Sequence, residues 1–424
     1  MHHKIDHMKN IQLIFNLCMV YLFLAGCQDK CETRNTYTFY EPVYKSLAEV
    51  RSEFDVVDPH PLKGSGKIYL YGTIVLINEV GAGVHVIDNS KPENPEFLKF
   101  INIPGNFDIA VKDNVLYADS YIDLLAIDIS DISQIQLLHR VENAFPGYNT
   151  QFGFSAERGN VITLWEEKET VEISSNCRQT GAIIPMTFGI AMDAASPMQS
   201  SSISGPMGIG GSMARFAIHK QFLYAVDSYE MYVFSTEKTT GPEKIATTTI
   251  GWDIETIFPY KDKLFIGSSS GMFIYDIQDP SSPQYLSEFN HARACDPVVA
   301  NDAYAFVTLR SGSACEGFTN QLDIIDIKDI VNPKLLHSVN LQNPHGLGLD
   351  SNTLFICEGE FGLKVFDISD INSLVLLKHV PTIQVHDVIP WQNTLLAIGE
   401  DGLYQYDYSD LDEIKLLSFL PFEL

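Results

Sequence analysis

A seventeen-residue phrase recurs along this chain. It appears as VHVIDNSKPENPEFLKF at 84–100, LLAIDISDISQIQLLHR at 124–140 and MFIYDIQDPSSPQYLSE at 272–288. It returns as LDIIDIKDIVNPKLLHS at 322–338, LKVFDISDINSLVLLKH at 363–379 and LYQYDYSDLDEIKLLSF at 403–419. Each copy is an apolar β run, an Asp-centred turn and a second apolar run. Where the phrase is clear, its starts lie 40, 41 or 50 residues apart. A period near forty made of strands describes repeated small sheets, none able to bury its faces alone.

Four strands read out of each clear unit. Around the copy at 124–140 they are Ile109–Val111, Val115–Ala118, Leu124–Ile127 and Ile135–Arg140, with a tight turn at Lys112-Asp113-Asn114. Most strands are short and apolar on both faces, so each sheet must be covered on both. Face-to-face packing of four-stranded sheets around an axis meets that demand, and the expected fold is an all-β propeller. Third strands begin at Val84, Leu124, Met231, Met272, Leu322, Leu363 and Leu403. The long interval between Leu124 and Met231 has room for one more unit, drawn from Phe152–Phe154, Val161–Trp165 and Glu169–Ile173. Eight blades are therefore favoured, and seven if 149–174 is an embellishment. The propeller is placed at 62–424, with a long Ser-, Gly- and Pro-rich loop at 175–212 that includes a linker-like Gly205–Gly211. Closure of the ring falls to face packing or to the pre-repeat segment Phe54–Val57.

The end of the third strand, as in Leu-Asp-Ile-Ile-Asp and Leu-Lys-Val-Phe-Asp, resembles the LVIVD repeat of a β-propeller family of secreted and surface proteins. The resemblance runs through Asp88, Asp128, Asp276, Asp326, Asp367 and Asp407 and fails at Ser235. It implies the fold and an extracellular setting, and lends no catalytic residues. The repeated Asp has a structural purpose of its own, because its carboxylate can accept N–H groups of the turn that follows.

The first residues are of another kind. Lys4 and Lys9 precede the apolar run Ile11–Ala25, which is too short to span a bilayer and ends in Leu24-Ala25-Gly26-Cys27. That ending resembles the bacterial lipobox. The resemblance implies a signal peptide at 1–26, acylation of Cys27, and attachment to the outer membrane on its periplasmic or outer side. Residues 27–61 are expected to be a tether with a short helix at Tyr44–Ser52. With a formal net charge of −26 the chain repels nucleic acid and anionic surfaces. Among the cysteines, Cys295 and Cys315 flank one hairpin and are expected to pair as a disulfide. Cys357, inside an apolar strand, reads as a buried free thiol.

Antiparallel order places residues before first strands and after second strands at one face of the ring. There lie Asp108, Glu255, Asp296, His345, His386 and Asp387, together with Glu79, Asp119, Asp227, Glu358, Glu400, Asp401 and Arg310. Such a rim suits a divalent cation such as calcium, which wants several oxygen ligands. Each of these groups can equally tie its own loop. No Walker loop, His-Glu-x-x-His or Cys-x-x-Cys occurs. The sequence points to a lipid-anchored binding or scaffold module for a protein or glycan partner, with a channel-mouth hydrolase or lyase as the alternative.

Overall fold

The computed structural model describes residues 33–64, 66–151, 154–174, 208–238, 241–291, 297–311 and 319–423. Cys27, Asp296 and both Cys295 and Cys315 lie outside these residues.

Seven antiparallel blades follow one another along the chain, each built on four strands in simple sequence order. Blade 1 starts at Ile68 and ends at Asn102, blade 2 spans 109–141, and blade 3 spans 216–249. Blades 4 to 7 span 254–290, 298–340, 347–380 and 385–421. The first strand of every blade neighbours the first strand of the next, and blade 7 returns to blade 1, so the ring is closed around its first strands. First, second and third strands are buried almost throughout: all of Ile109–Lys112 is buried, and all of Asp123–Asp128 but its last residue. Fourth strands are mostly exposed or half-buried, and Glu243–Thr249 alternates between the two. This is the pattern of sheets stacked face to face with their outer edges in water.

All seven pairings of third and fourth strand carry a bulge at the same place, among them Val86/Ile87, Val233/Phe234 and Gln405/Tyr406. An extra residue there steepens the twist that fans one blade away from the next. The turn at Asp113-Asn114 has two positive φ angles, 51° and 63°, the geometry that suits a two-residue hairpin.

The eighth blade favoured by the sequence does not exist; the propeller has seven. Asn160–Ser174 is one strand rather than two, and it pairs with Thr33–Ser46 in a two-stranded sheet. Its centre, Glu166-Glu167-Lys168-Glu169, is exposed, and four polar residues in a row cannot be buried between apolar blades. The short helix is Leu47–Ser52, capped by Ser46 through the Glu49 N–H. Its Arg51 forks onto the buried Asp123 of blade 2, at 2.7 and 3.0 Å.

The segment after the helix closes the ring. Asp55–Val57 adds a fifth strand outside Glu96–Asn102 of blade 1. Five residues later, fully buried Leu62 bridges Phe422 at the end of blade 7, and the Glu423 N–H donates to the Leu62 carbonyl at 2.7 Å. Leu62 sits in an apolar cluster with Ile68, Val75 and Ile77 of blade 1 and Ile389, Leu396 and Leu403 of blade 7. The side-chain amides of Asn89 and Gln405 exchange two hydrogen bonds across the same junction.

Candidate functional site

The centre of the ring is filled by the chain itself. Ile209–Gly210 pairs with Leu70 and Tyr69 on the innermost strand of blade 1, making that sheet six-stranded. Gly208 N–H donates to Val111 of blade 2, and the buried Ser212 hydroxyl accepts the Leu347 N–H of blade 6. Ala214 carbonyl accepts from Ile257 of blade 4. Residues 208–214, the first four of which read as linker, are thus a plug that touches the innermost strands of four blades. Its glycines are required by close approach: a Cβ on Gly208 would stand 2.0 Å from the Tyr69 ring, and one on Gly210 would stand 2.8 Å from it.

The mouth residues fall into local groups. Asp108 is buried and binds the Lys67 ammonium, the Arg215 N–H and its own neighbour's N–H at Ile109. Beside it, Asp119 accepts from the Asn106 amide and from the N–H groups of Phe107 and Asp108, at 2.7 to 3.0 Å. Burial nevertheless pushes the Asp119 carboxyl up, to about 7. Asn106 continues the network to Asn78 at 2.6 Å. Glu255 occupies a bulge between Ile254 and Thr256 and is half-buried.

His345 and His386 meet across blades 6 and 7, with ring centres 6.2 Å apart. Arg310 reaches to within 3.5 Å of His345 Nε2. Burial first, then the Arg310 and His386 charges, hold the His345 imidazole down to about 2, so the ring is neutral. His386 is itself a bulge residue, and Asp387 accepts the Val388 N–H at 2.5 Å. Glu358, fully buried, caps the Gln342 N–H at 2.8 Å and pairs with Lys364 at 2.5 Å. Asp227 and Asp401 fold back onto Tyr232 and Tyr404.

Asp108, Asp119, Asp227, Glu358, Asp387 and Asp401 therefore each tie a backbone or side-chain group of the mouth or balance a buried cation. Among the described residues, no three of the mouth groups gather at metal-ligand distance. One cluster does so with a single member of that group, Glu79, joined by two residues that repeat position did not name: His60, Glu79 and His85, whose ligand atoms lie within 4.8 Å of one another. His85 Nε2 stands 3.0 Å from Glu79 Oε2 on blade 1, and His60 comes from the closing segment. Burial lowers the His85 pKa although Glu79 opposes it, so this ring too is neutral.

One motif spacing carries no chemistry. Gly267-Ser268-Ser269-Ser270-Gly271 has the letters of a nucleophile elbow, but it is the turn between two strands of blade 4. Its Ser268 and Ser269 hydroxyls bond to the Gly271 carbonyl and to Asp253, and no helix follows.

The repeated acids behave as turn-formers. Asp88, Asp128, Asp276, Asp326, Asp367 and Asp407 each accept the N–H of the residue two places on, at 2.6 to 2.9 Å. Those N–H bonds hold the carboxyls of Asp88 and Asp326 below their ordinary range, and the hydroxyls of Ser130, Ser369 and Ser409, followed by the same N–H bonds, do so for Asp128, Asp367 and Asp407. Residues 106–143, which hold all of blade 2, match the family model of the LVIVD repeat. The chain carries an LVIVD repeat. In blades 1 and 4 to 7 the same strand ending and the same Asp turn repeat with looser spelling, and blade 3 keeps the strand but ends it in Ser235.

No curated protein sequence matches the chain. Solved structures similar to this LVIVD-repeat propeller share its fold at low identity. A protein from Lactobacillus plantarum aligns with TM-score 0.53 and 11% identity over 84% of this chain and 96% of its own. Sqt1 from Saccharomyces cerevisiae aligns with TM-score 0.51 and 9% identity over 87% of each chain. The computationally designed protein Ika8 aligns with TM-score 0.52 and 12% identity over 85% of this chain and 91% of its own. Among the described residues, no helix is long and apolar enough to cross a membrane.

Proposed function

We propose that the protein is a non-catalytic binding or scaffold module, held at the outer membrane by acyl chains on Cys27. The plugged centre carries this reading. A propeller enzyme or small-ligand carrier needs a concave pocket lined by convergent polar groups. Here residues 208–214 occupy the channel, and Asp108, Asp119 and Asp387 of the mouth are already engaged by backbone N–H groups and, for Asp108, by Lys67. What the ring offers a partner is its outside.

That outside is not uniformly polar. Tyr285, Leu335, Leu376 and Leu416 stand exposed at equivalent positions on the fourth strands of blades 4 to 7. Apolar side chains repeated along a rim suit contact with another macromolecule rather than with a small solute. The partner is accordingly a protein or glycan of the envelope, and the basic start, apolar run and Leu-Ala-Gly-Cys of the first 27 residues support delivery there.

Two experiments test the reading. Cys27→Ser should move the protein from the membrane fraction to the soluble fraction; unchanged membrane association would remove the anchor. Crosslinking in intact cells followed by purification should recover a discrete envelope partner, and Leu335→Asp with Leu376→Asp should abolish it. Recovery unaffected by that pair would show that the rim is not the binding surface.

A further inference from the structure

Three side chains from three separate places meet beside the ring closure. Glu79 ends the second strand of blade 1, and His85 lies on its third strand. His60 belongs to the short connection between the added strand Asp55–Val57 and the bridging Leu62. The two imidazoles meet edge to face with centres 4.8 Å apart. Phe100 packs against both rings, at 4.3 and 4.7 Å, and Phe97 against His85 at 5.9 Å.

The hydrogen bonds assign the tautomers. His60 Nδ1 lies 2.8 Å from the Pro61 carbonyl, which can only accept, so Nδ1 holds the proton and Nε2 the lone pair. His85 Nε2 faces the Glu79 carboxylate, which likewise only accepts. An ion shared with Glu79 must bind this same Nε2, so its proton leaves or moves to Nδ1, which is buried with no hydrogen-bond partner among the described residues. The bond from His60 Nδ1 to the Pro61 carbonyl fixes that ring and leaves Nε2 as its ligand atom.

We infer that His60, Glu79 and His85 form a binding site for a divalent transition cation of the zinc class, and that the ion clamps the closing segment to blade 1. Two imidazoles and one carboxylate suit zinc, copper or nickel, whereas calcium wants an all-oxygen cage. Bonds of about 2.0–2.1 Å put neighbouring ligand atoms roughly 3.4 Å apart in a tetrahedron. The 4.8 Å span then asks for an inward movement of about one ångström, which the connection carrying His60 can supply. Three protein ligands leave the fourth position to water, on the side where His60 and Glu79 are only half-buried. The Phe97 and Phe100 rings form the apolar wall behind them. Because His60 lies two residues before Leu62, an ion fixed there tightens the junction of blades 1 and 7.

The test uses the full chain, stripped of metal with a chelator and titrated with zinc by calorimetry and with cobalt(II) by visible absorption. His60→Gln is compared with wild type and with the double variant His345→Gln, His386→Gln at the mouth. His2, His3 and His7 are present in all three proteins, so differences report the site. Wild type and the mouth variant should bind one equivalent with tetrahedral cobalt bands and a zinc-dependent rise in Tm. His60→Gln should lose at least tenfold in affinity together with the bands and the rise; Glu79→Gln repeats the measurement should His60→Gln fold poorly. Equal affinity and spectra in wild type and His60→Gln, loss in the mouth variant alone, or no zinc binding by wild type would each overturn the assignment.

Discussion

Blades 1 and 5 are built on the same four strands, yet blade 1 has six and blade 5 has four. On blade 1 an N-terminal strand covers the outer edge and the 209–210 strand covers the inner edge. Blade 5 leaves its outer strand to solvent, with Leu335 and Leu336 exposed. The repeat thus makes a blade, and segments outside the repeat make the ring. A propeller whose units come in sequence order has no shared strand to join its ends, so something beyond the repeat must do it. Here Leu62, the Asn89–Gln405 amide pair and the face packing between blades 1 and 7 take that part.

The largest effect should come from breaking that closure. Leu62→Ala removes a fully buried side chain at the junction, and large-to-small changes of this kind cost about 2–5 kcal/mol. Leu336→Ala, in the same residue type on the bare edge of blade 5, should stay within about 0.5 kcal/mol. Urea unfolding of both variants checks the contrast. Equal costs would mean that the first and last blades are no more dependent on the closing segment than any other pair.

Next comes the plug. Gly208→Val forces a side chain onto Tyr69, which is buried and hydrogen-bonded to the Gly208 carbonyl, so the ring cannot simply swing away. Overpacking of this kind costs about 1–3 kcal/mol. The expected result is a lower urea midpoint together with new protease cleavage within 208–215, while cleavage elsewhere stays as in wild type. An unchanged digestion pattern would show that the segment is held by something other than its fit against blade 1.

How much of this was legible in the sequence follows from the same contrast. The seventeen-residue phrase announced the third and fourth strands and the Asp turns, because each is decided by residues close in sequence. Strand order also placed His345 beside His386. The eighth blade was an error of the same logic: Val161–Trp165 and Glu169–Ile173 look like two strands when read for apolar runs alone, but their exposed acidic centre belongs to a two-stranded ribbon. The plug was illegible because Gly208 and Gly210 are chosen for what is absent, a Cβ that would strike Tyr69 from 139 and 141 positions away. The His60, Glu79 and His85 cluster was illegible because His60 reaches blade 1 only once the closing segment has docked. Its one available signal was a histidine inside an otherwise apolar third strand, at Val84-His85-Val86.

A smaller effect separates the two sides of the mouth by pH. Around blades 1 and 2 the buried acids are met by Lys67 and backbone N–H groups, whereas His345 on the far side faces Arg310 and another imidazole. His345 is held to about 2 in the fold against an ordinary 6.5. Between those values the unfolded chain binds the proton and the folded chain does not, so this residue's contribution is present above about 6.5 and is lost as pH falls. The slope is at most about 1.4 kcal/mol per pH unit, reduced by partial exposure. His345→Gln should therefore flatten the loss of stability between pH 6.5 and 4.5 relative to wild type. Parallel curves would mean that the imidazole is solvated and titrates normally.

The smallest effect lies where the repeat fails to spell itself. Blade 3 ends its third strand in Ser235, whose hydroxyl accepts the Glu237 N–H at a long 3.5 Å, while the six Asp turns close at 2.6 to 2.9 Å. Ser235→Asp restores the acid and should shorten that bond. Against it stands Glu243, directly across the strand pair, where an acid faces a new acid. The same juxtaposition already exists in blade 1, where Asp88 opposes Glu96, and the turn there closes at 2.8 Å. The hydrogen bond should therefore prevail, with a gain below about 0.5 kcal/mol, seen as a higher urea midpoint that increases further in salt as the repulsion is screened. A midpoint that falls at every salt concentration would mean that blade 3 lacks the acid because its backbone turns differently, and that the repeat's Asp is a consequence of blade geometry rather than one of its causes.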